Sequence, residues 1–298
     1  MEKIAECPVC GNSGLREFLK SKDYFLSGKE FVIEECIQCR FRFTNPRPDV
    51  NEIVPYYESA DYIAHDAGNG TMIESIYKFV RNIALRNKFK VIRENSNGNN
   101  LLDIGCGTGE FLHYCKNKGF HATGIEPNPK ARNFAIQNYS LEVNDENHLK
   151  ELPLSEYNVI TLWHVLEHVH DLNGRIQTIK KLLKPDGTLL IAVPNSDSQD
   201  AQIFGQFWAA YDLPRHLYHF TPKTMKVLLE RNGFTIFQTV PLKFDAYYIS
   251  LLSEKYQKGK QNYFNTLKNG FKSNFSAMNH NKNYSSLIYL CRIAQEAK

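Results

Sequence analysis

The 298-residue sequence predicts an α/β fold, with a parallel sheet covered by helices on both faces, on three observations. From residue 99 onward, short apolar runs alternate with helical patterns, as in LLDIG, EFLHYCKNKG and HATGIE. Strands that return through helices pair in parallel and are buried on both sides. A glycine-rich loop, DIGCGTG, joins the first of these strands to its helix. Hydrophobic content of 42% and aromatic content of 12% supply a real core and exclude general disorder.

The elements follow in order. Cys7-Pro8-Val9-Cys10 and Cys36-Ile37-Gln38-Cys39 enclose EFVIEE, which can form part of a two-stranded ribbon, and the connector TNPRPDVNEIVP follows. Ile76, Phe79, Val80, Ile83 and Val91 recur at helical spacing from Glu74 to about Arg93. NSNGNN (95–100) ends that helix. After LLDIG and HATGIE, a helix entered through Pro129 runs to about Asn138, and LEV and YNVITLW are the third and fourth strands. The next helix stops at Pro185 and Gly187, and TLLIAV is the fifth strand. Thr221-Pro222 is an N-cap that opens TPKTMKVLLERNG. FTIFQTV and SSLIYLCRI are two final strands, separated by an insertion at about 241–283. This gives three regions: a ribbon over 1–44, a connector with a helix and lid over 45–98, and the α/β domain over 99–298.

No apolar run approaches the roughly 18 residues a membrane helix needs. The start, MEKIAECPVC, lacks the apolar core of a signal peptide, so the expected location is cytoplasmic. Seven cysteines would there be reduced, and paired ones read as metal ligands. The net charge of +4 is uneven: residues 254–298 carry eight Lys/Arg against two Asp/Glu, a local +6 that leaves −2 for the rest. Such a segment can attract nucleic acid, an anionic membrane or a phosphorylated substrate, or simply be a solvated insertion.

Gly105, Gly107 and Gly109 let the backbone turn tightly and approach a ligand at the carboxyl edge of the sheet. The flanking carboxylates of Asp103 and Glu110 disfavour a polyanion and suit a cationic ligand. Glu126 ends the second strand, where an acid can take both ribose hydroxyls. With GIEP, YNVITLWHVLEHV and LLKPDGTLLIAVPN in the same order, DIGCGTG resembles the successive motifs of class I S-adenosylmethionine-dependent methyltransferases. The resemblance implies a Rossmann-like seven-stranded sheet whose last strand is antiparallel. It implies that Asp103, Gly105, Cys106, Gly107, Gly109 and Phe111 surround the methionine part. It also puts Glu126 and Pro127 at the ribose, Asp145 at the adenine, and Trp163 and His164 beside the sulfonium.

Two C-x-x-C pairs separated by 25 residues fit a tetrahedral zinc site of Cys7, Cys10, Cys36 and Cys39. Four protein ligands leave no open position, so this zinc is expected to be structural. A zinc ribbon ahead of such a domain resembles two groups. One methylates sugars and polysaccharide precursors; the other methylates guanines of ribosomal RNA. Small polar or glycan-related acceptors are the leading expectation, because the body of the chain lacks the basic footprint of RNA binding. Ribosomal RNA, and a non-catalytic scaffold that kept the fold, stand as alternatives.

Two stretches bear on the chemistry. His164-Val165-Leu166-Glu167-His168 fits a metalloprotease pattern, but it lies where a strand turns into a helix rather than within a longer regular helix. Glu167 and His168 are therefore expected to hydrogen-bond beneath the substrate pocket. A divalent cation at His164, Glu167 and His168 is the alternative, since ubiquinone-biosynthesis O-methyltransferases have a similar stretch associated with one. YDLPRHLYHFTP (211–222) follows the fifth strand at the carboxyl edge. There His216 or His219 could act as a general base and Arg215 could clamp an anionic group, while Trp208, Tyr211 and Tyr218 could stack on the acceptor. Tyr56, Tyr57, Tyr62 and His65 are expected in a lid over the cofactor.

Overall fold

The computed structural model describes residues 1–57, 72–279 and 282–295, so the expected lid residues Tyr62 and His65 lie outside the described residues. The chain begins with β1 (Leu15–Lys22), β2 (Glu30–Cys36) and β3 (Arg42–Thr44), then α1 (Met72–Asn95). β4 (Asn100–Ile104), α2 (Glu110–Lys116), β5 (His121–Ile125), α3 (Pro129–Tyr139), β6 (Glu142–Asn144) and β7 (Tyr157–Trp163) follow the predicted alternation. Next come α4 (Leu172–Leu182), β8 (Leu183–Pro194), α5 (Gln199–Phe204), β9 (Tyr218–His219) and α6 (Pro222–Arg231). β10 (Phe234–Pro241), α7 (Asp245–Lys258), α8 (Tyr263–Asn279) and β11 (Ser286–Ile293) complete the chain.

Seven strands form the main sheet in the order β10-β11-β8-β7-β4-β5-β6. β4, β5, β6, β7 and β8 pair in parallel, while β11 runs antiparallel to both β8 and β10. Alternate side chains of each strand enter opposite layers. Leu102, Ile160, Leu189 and Ile191 pack with Ile176 and Ile179 of α4 and Met225 and Leu228 of α6. Leu101, Val159, Leu190 and Ala192 pack with Ile92 of α1 and Leu112 of α2 on the other face. The sheet is thus buried on both sides, which is why its strands read as nearly continuous apolar runs. Thr221 caps α6 as predicted: its hydroxyl accepts from the Thr224 N–H in a reciprocal capping box.

Three features differ from the sequence expectation. First, α4 ends at Leu182 and β8 begins at Leu183, so Pro185 and Gly187 lie within the strand's first residues rather than ending the helix. The pairing of β7 with β8 jumps there from Tyr157↔Leu183 to Val159↔Thr188, and this irregularity absorbs the proline. Second, the insertion is two helices, α7 and α8.

The third concerns the N-terminal region, which is not an independent ribbon. β1, β2 and β3 form an antiparallel sheet whose fourth strand, β9, comes from the 211–222 stretch. Phe41 and Phe43 of this sheet pack with Tyr218 and Phe220, and all four join the core beneath the main sheet.

Candidate functional site

At the carboxyl edge of β4 the chain turns through Gly105 (φ 71°), Gly107 (φ 56°) and Gly109 (φ 80°), all in the left-handed region that glycine alone adopts without strain. A Cβ on Gly105 would come within 2.4 Å of Val165, whereas one on Gly107 would meet nothing within 4 Å. The loop is pinned from one side and open on the other. The Gly105 and Cys106 N–H groups both donate to the Ile125 carbonyl, at 2.7 and 3.1 Å. Glu126 at the end of β5 is buried; its carboxylate accepts from the N–H groups of Gly107 and Asn128, each at 2.8 Å. Pro127 follows at the entry to α3. Burial raises the Glu126 carboxyl and pushes Asp103, which accepts a 2.6 Å hydrogen bond from Thr161, up to about 7.

Phe111 packs edge-on against Trp163 with ring centroids 5.3 Å apart, and the buried indole N–H of Trp163 has no hydrogen-bond partner among the described residues. These residues fit S-adenosylmethionine. Two buried carboxylates, Asp103 and Glu126, border the loop, Gly107 leaves space beside it, and the Trp163 indole offers an unpaired donor. Asp145 stands one strand over and caps the turn 146–150, accepting from the Asn147 N–H at 2.8 Å.

At the carboxyl end of β7, His164 itself adopts φ 58°, a strained conformation for a residue with a side chain. Its Nε2 lies 3.1 Å from Asp245 Oδ2 and its Nδ1 3.4 Å from Glu167 Oε1. Burial opposes its charge, but these two carboxylates outweigh burial and lift it to about 9. Glu167 is fully buried, yet among the described residues neither of its carboxylate oxygens makes a hydrogen bond, so the longer contact with His164 stands where an orienting bond was expected. Burial would raise its pKa; His164 and His216 more than offset that and hold it low.

The atoms that Glu167, His168 and His216 offer lie within 4.8 Å of one another. Each imidazole is fixed through Nδ1, His168 to the Arg215 carbonyl at 3.0 Å and His216 to the Ala210 carbonyl at 2.8 Å. That leaves the Nε2 lone pairs for the cluster, the arrangement that ligating or proton-accepting histidines share. Burial and the neighbouring His216 hold His168 down to about 4, so it is neutral. His164 turns instead to Asp245, so the three grouped donors differ from those adjacent in sequence.

From Trp208 to Thr221 the other residues are buried, apart from half-buried Asp212. Trp208 is buried and its indole N–H donates to Asp200 at 2.8 Å. Tyr218 is buried, donating to the His170 carbonyl and accepting from Arg47, each at 2.9 Å. Arg215 is 2% exposed and committed to Asp212 at 2.6 Å, Asp23 at 3.1 Å and the Tyr56 carbonyl at 3.2 Å. These contacts replace the expected stacking and clamping, because each polar tip already has a buried partner. Tyr211 is buried but borders a cavity of about 330 Å³ that Phe18, Arg42, Asp197 and Gln202 also line. His219 is buried between Tyr211 and Thr44, with Nε2 3.1 Å from the Thr44 hydroxyl, and burial drives its pKa well below the usual value. Of the two histidines, His216 therefore joins the cluster and His219 joins the N-terminal sheet.

The four cysteines converge as their spacing predicts. Sγ of Cys7 lies 3.5 Å from that of Cys39, and Cys10 the same distance from Cys36, with all four within 4.8 Å. All are free thiols, and their number and geometry fit one tetrahedral metal ion.

Sequence reasoning missed Lys88 and Asp245, and it expected Tyr57 in a lid over the cofactor rather than beside His168. Lys88 of α1 sits 4.5 Å over the Trp163 ring, and burial lowers its pKa. The Tyr57 hydroxyl lies 2.9 Å from His168 Nδ1. Asp245 opens an insertion that carries no motif, and its role appears only when the chain folds back.

Comparison with known proteins agrees with this geometry. Residues 76–239, more than half of the chain, match the family model described as a methyltransferase domain. The ubiquinone biosynthesis O-methyltransferase of Haemophilus ducreyi is 33% identical over 122 residues, which cover 36% of this chain and 52% of that protein. Its counterpart in Maricaulis maris is 26% identical over 161 residues, 50% of this chain and 63% of that protein. The chain thus spans about half the length of the curated relatives it matches. Among solved structures, magnesium protoporphyrin IX methyltransferase of Synechocystis superposes with a TM-score of 0.53 at 14% identity, covering 82% of this chain and all of that one. The 1,6-didemethyltoxoflavin-N1-methyltransferase of Burkholderia thailandensis gives 0.51 at 16% identity, covering 87% and 98%. At these identities the likeness is one of fold.

Proposed function

Because the chain belongs to the S-adenosylmethionine-dependent methyltransferases, we propose that it methylates a hydroxyl oxygen of a small polar acceptor seated at the carboxyl edge of β7 and β8. The observation that carries this reading is the cluster of Glu167, His168 and His216. A fully buried carboxylate whose one close partner is the His164 imidazole at 3.4 Å, and whose oxygens accept no hydrogen bond among the described residues, is costly unless a ligand or ion completes it. Its contact with His164 puts it next to the cofactor pocket.

Transfer is an in-line displacement. The acceptor oxygen attacks the methyl carbon as the carbon–sulfur bond breaks, S-adenosylhomocysteine leaves, and the acceptor proton passes to a base. His216, anchored through Nδ1 and with Nε2 3.9 Å from Asp212 Oδ2, is that base, and Glu167 stabilises the resulting imidazolium. Positioning supplies much of the remaining acceleration. One carboxylate and two imidazoles also suit a divalent cation, which when bound would lower the pKa of the acceptor hydroxyl. Structural zinc on Cys7, Cys10, Cys36 and Cys39 is part of the same proposal, as is a glycan-related acceptor. The named relatives act in ubiquinone biosynthesis, which supports oxygen as the acceptor atom.

The test is transfer from labelled S-adenosylmethionine into a size-fractionated cell extract, with and without ribonuclease. Label is expected in a small-molecule fraction that survives ribonuclease. His216→Ala is expected to slow transfer roughly 10²–10⁴-fold. Label that ribonuclease destroys would overturn the small-acceptor reading in favour of RNA.

A further inference from the structure

The insertion contains a helix whose polarity is inverted. α8 turns Thr266, Gly270, Ser273 and Ala277 toward the protein, and Ser273 donates a 2.8 Å hydrogen bond to buried Asp200. Its opposite side presents Phe264, Leu267, Phe271, Phe275 and Met278, each between 53% and 76% exposed. The spacing of three and four residues lines these five along one face, and Phe271 and Phe275 stack at 6.0 Å. A globular helix ordinarily buries such a stripe; here the small residues take the buried side and the large apolar ones meet water. Tyr248 and Phe244, at the start of α7, are exposed as well.

The charge around the stripe decides what it meets. Residues 255–279 contain Lys255, Lys258, Lys260, Lys268 and Lys272 and no acidic residue. Lys268 and Lys272 follow Leu267 and Phe271 directly and are exposed beside them. A second copy of this helix would set lysine against lysine. The leucine and the methionine of the stripe offer nothing to nucleic-acid bases. Aromatic and aliphatic side chains bordered by lysines are what a helix lying in the plane of an anionic bilayer requires: the apolar face enters the acyl boundary and the lysines meet the phosphates.

We propose that α8 docks the enzyme onto anionic membrane surfaces. The helix pair is tied to the chemistry at one point, since α7 begins with Asp245, the partner of His164. Docking therefore holds the acceptor site close to the lipid surface, where an acceptor with a lipid tail would present its polar head. The docking itself stands without the assignment of the acceptor, and it is measured without methyl transfer.

The experiment is flotation of the full chain with vesicles of phosphatidylglycerol mixed with phosphatidylcholine, compared with phosphatidylcholine alone. Binding to the mixed vesicles is expected, weakening as salt is added. Lys268→Gln with Lys272→Gln should weaken it roughly thirtyfold. Phe264→Ser with Phe271→Ser should abolish it while leaving circular dichroism and melting temperature nearly unchanged, because those side chains are mostly exposed. Light scattering runs in parallel. A dimer that the serine variant dissociates, with no vesicle binding, would assign the stripe to a second copy and overturn the proposal. Equal binding to both vesicle types, or retention by a nucleic-acid column alone, would overturn it too.

Discussion

Asp103 and Glu167 are both buried carboxylates, yet their surroundings act on them in opposite directions. Asp103 has a hydroxyl donor and a distant lysine, which do not offset burial, and its pKa rises to about 7. Glu167 has histidines about it that keep it ionised despite its burial. For Asp103 this predicts a pH-dependent cofactor site. The ammonium group of S-adenosylmethionine favours the ionised carboxylate, so affinity should increase as pH rises through about 7 and level off above it. Calorimetric titration of the cofactor across that range checks this. Asp103→Asn should bind roughly tenfold or more weakly, and without the pH dependence. The positions of Asp103 and Glu126 at the strand ends could be read in advance, because strand ends and glycine spacing are local features. The fate of Arg215 could not, since its partner Asp23 stands 192 residues away in sequence.

At the level of elements, the loop between β4 and α2 is where local sequence specified the structure most fully. Gly105 has both a positive φ and a neighbour in the way, as Val165 lies 2.4 Å from where a Cβ would sit. Gly105→Ala is therefore expected to cost about 1–3 kcal/mol and to misplace the loop. The expected readout is a lower urea midpoint together with weakened cofactor binding; a change in neither would mean that the turn adapts freely. Thr221-Pro222 was equally legible, because a cap is a contact over three residues. The insertion was not. Its lysines and asparagines read as a solvated surface, and the apolar stripe is interleaved with small residues at helical spacing. Only the packed structure shows which of the two faces turns inward.

Across the whole molecule, the α/β class followed from alternation and the seven-stranded sheet with an antiparallel strand from the family resemblance, whereas the joining of the N-terminal region to residues 211–222 followed from neither. Two residues of β9 are too short to announce a strand, and their partners in β3 lie far back in the chain. This joining makes the cysteine cluster matter to catalysis at a distance. Cys36 ends β2, β2 pairs with β3, and β3 pairs with β9, next to His216. On the proposed zinc site, Cys36→Ser should abolish zinc binding, lower the melting temperature and reduce methyl transfer at least tenfold, because a structural zinc site contributes on the order of 10 kcal/mol to folding. Metal analysis, thermal melting and activity of the same preparation check it. Wild-type activity in a zinc-free variant would show that β9 holds His216 unaided.

The shared sheet also sets a timetable for synthesis. A nascent chain has made β1, β2 and β3 long before it makes Tyr218 and His219, and at ordinary rates of translation the interval is on the order of ten seconds. Throughout that interval the outer edge of β3 has backbone groups with no strand to pair them, a template for any extended segment nearby. The ribosome thus releases the cysteine-bearing half of this sheet before its closing strand exists, and the last piece to seal that edge is the stretch that carries His216.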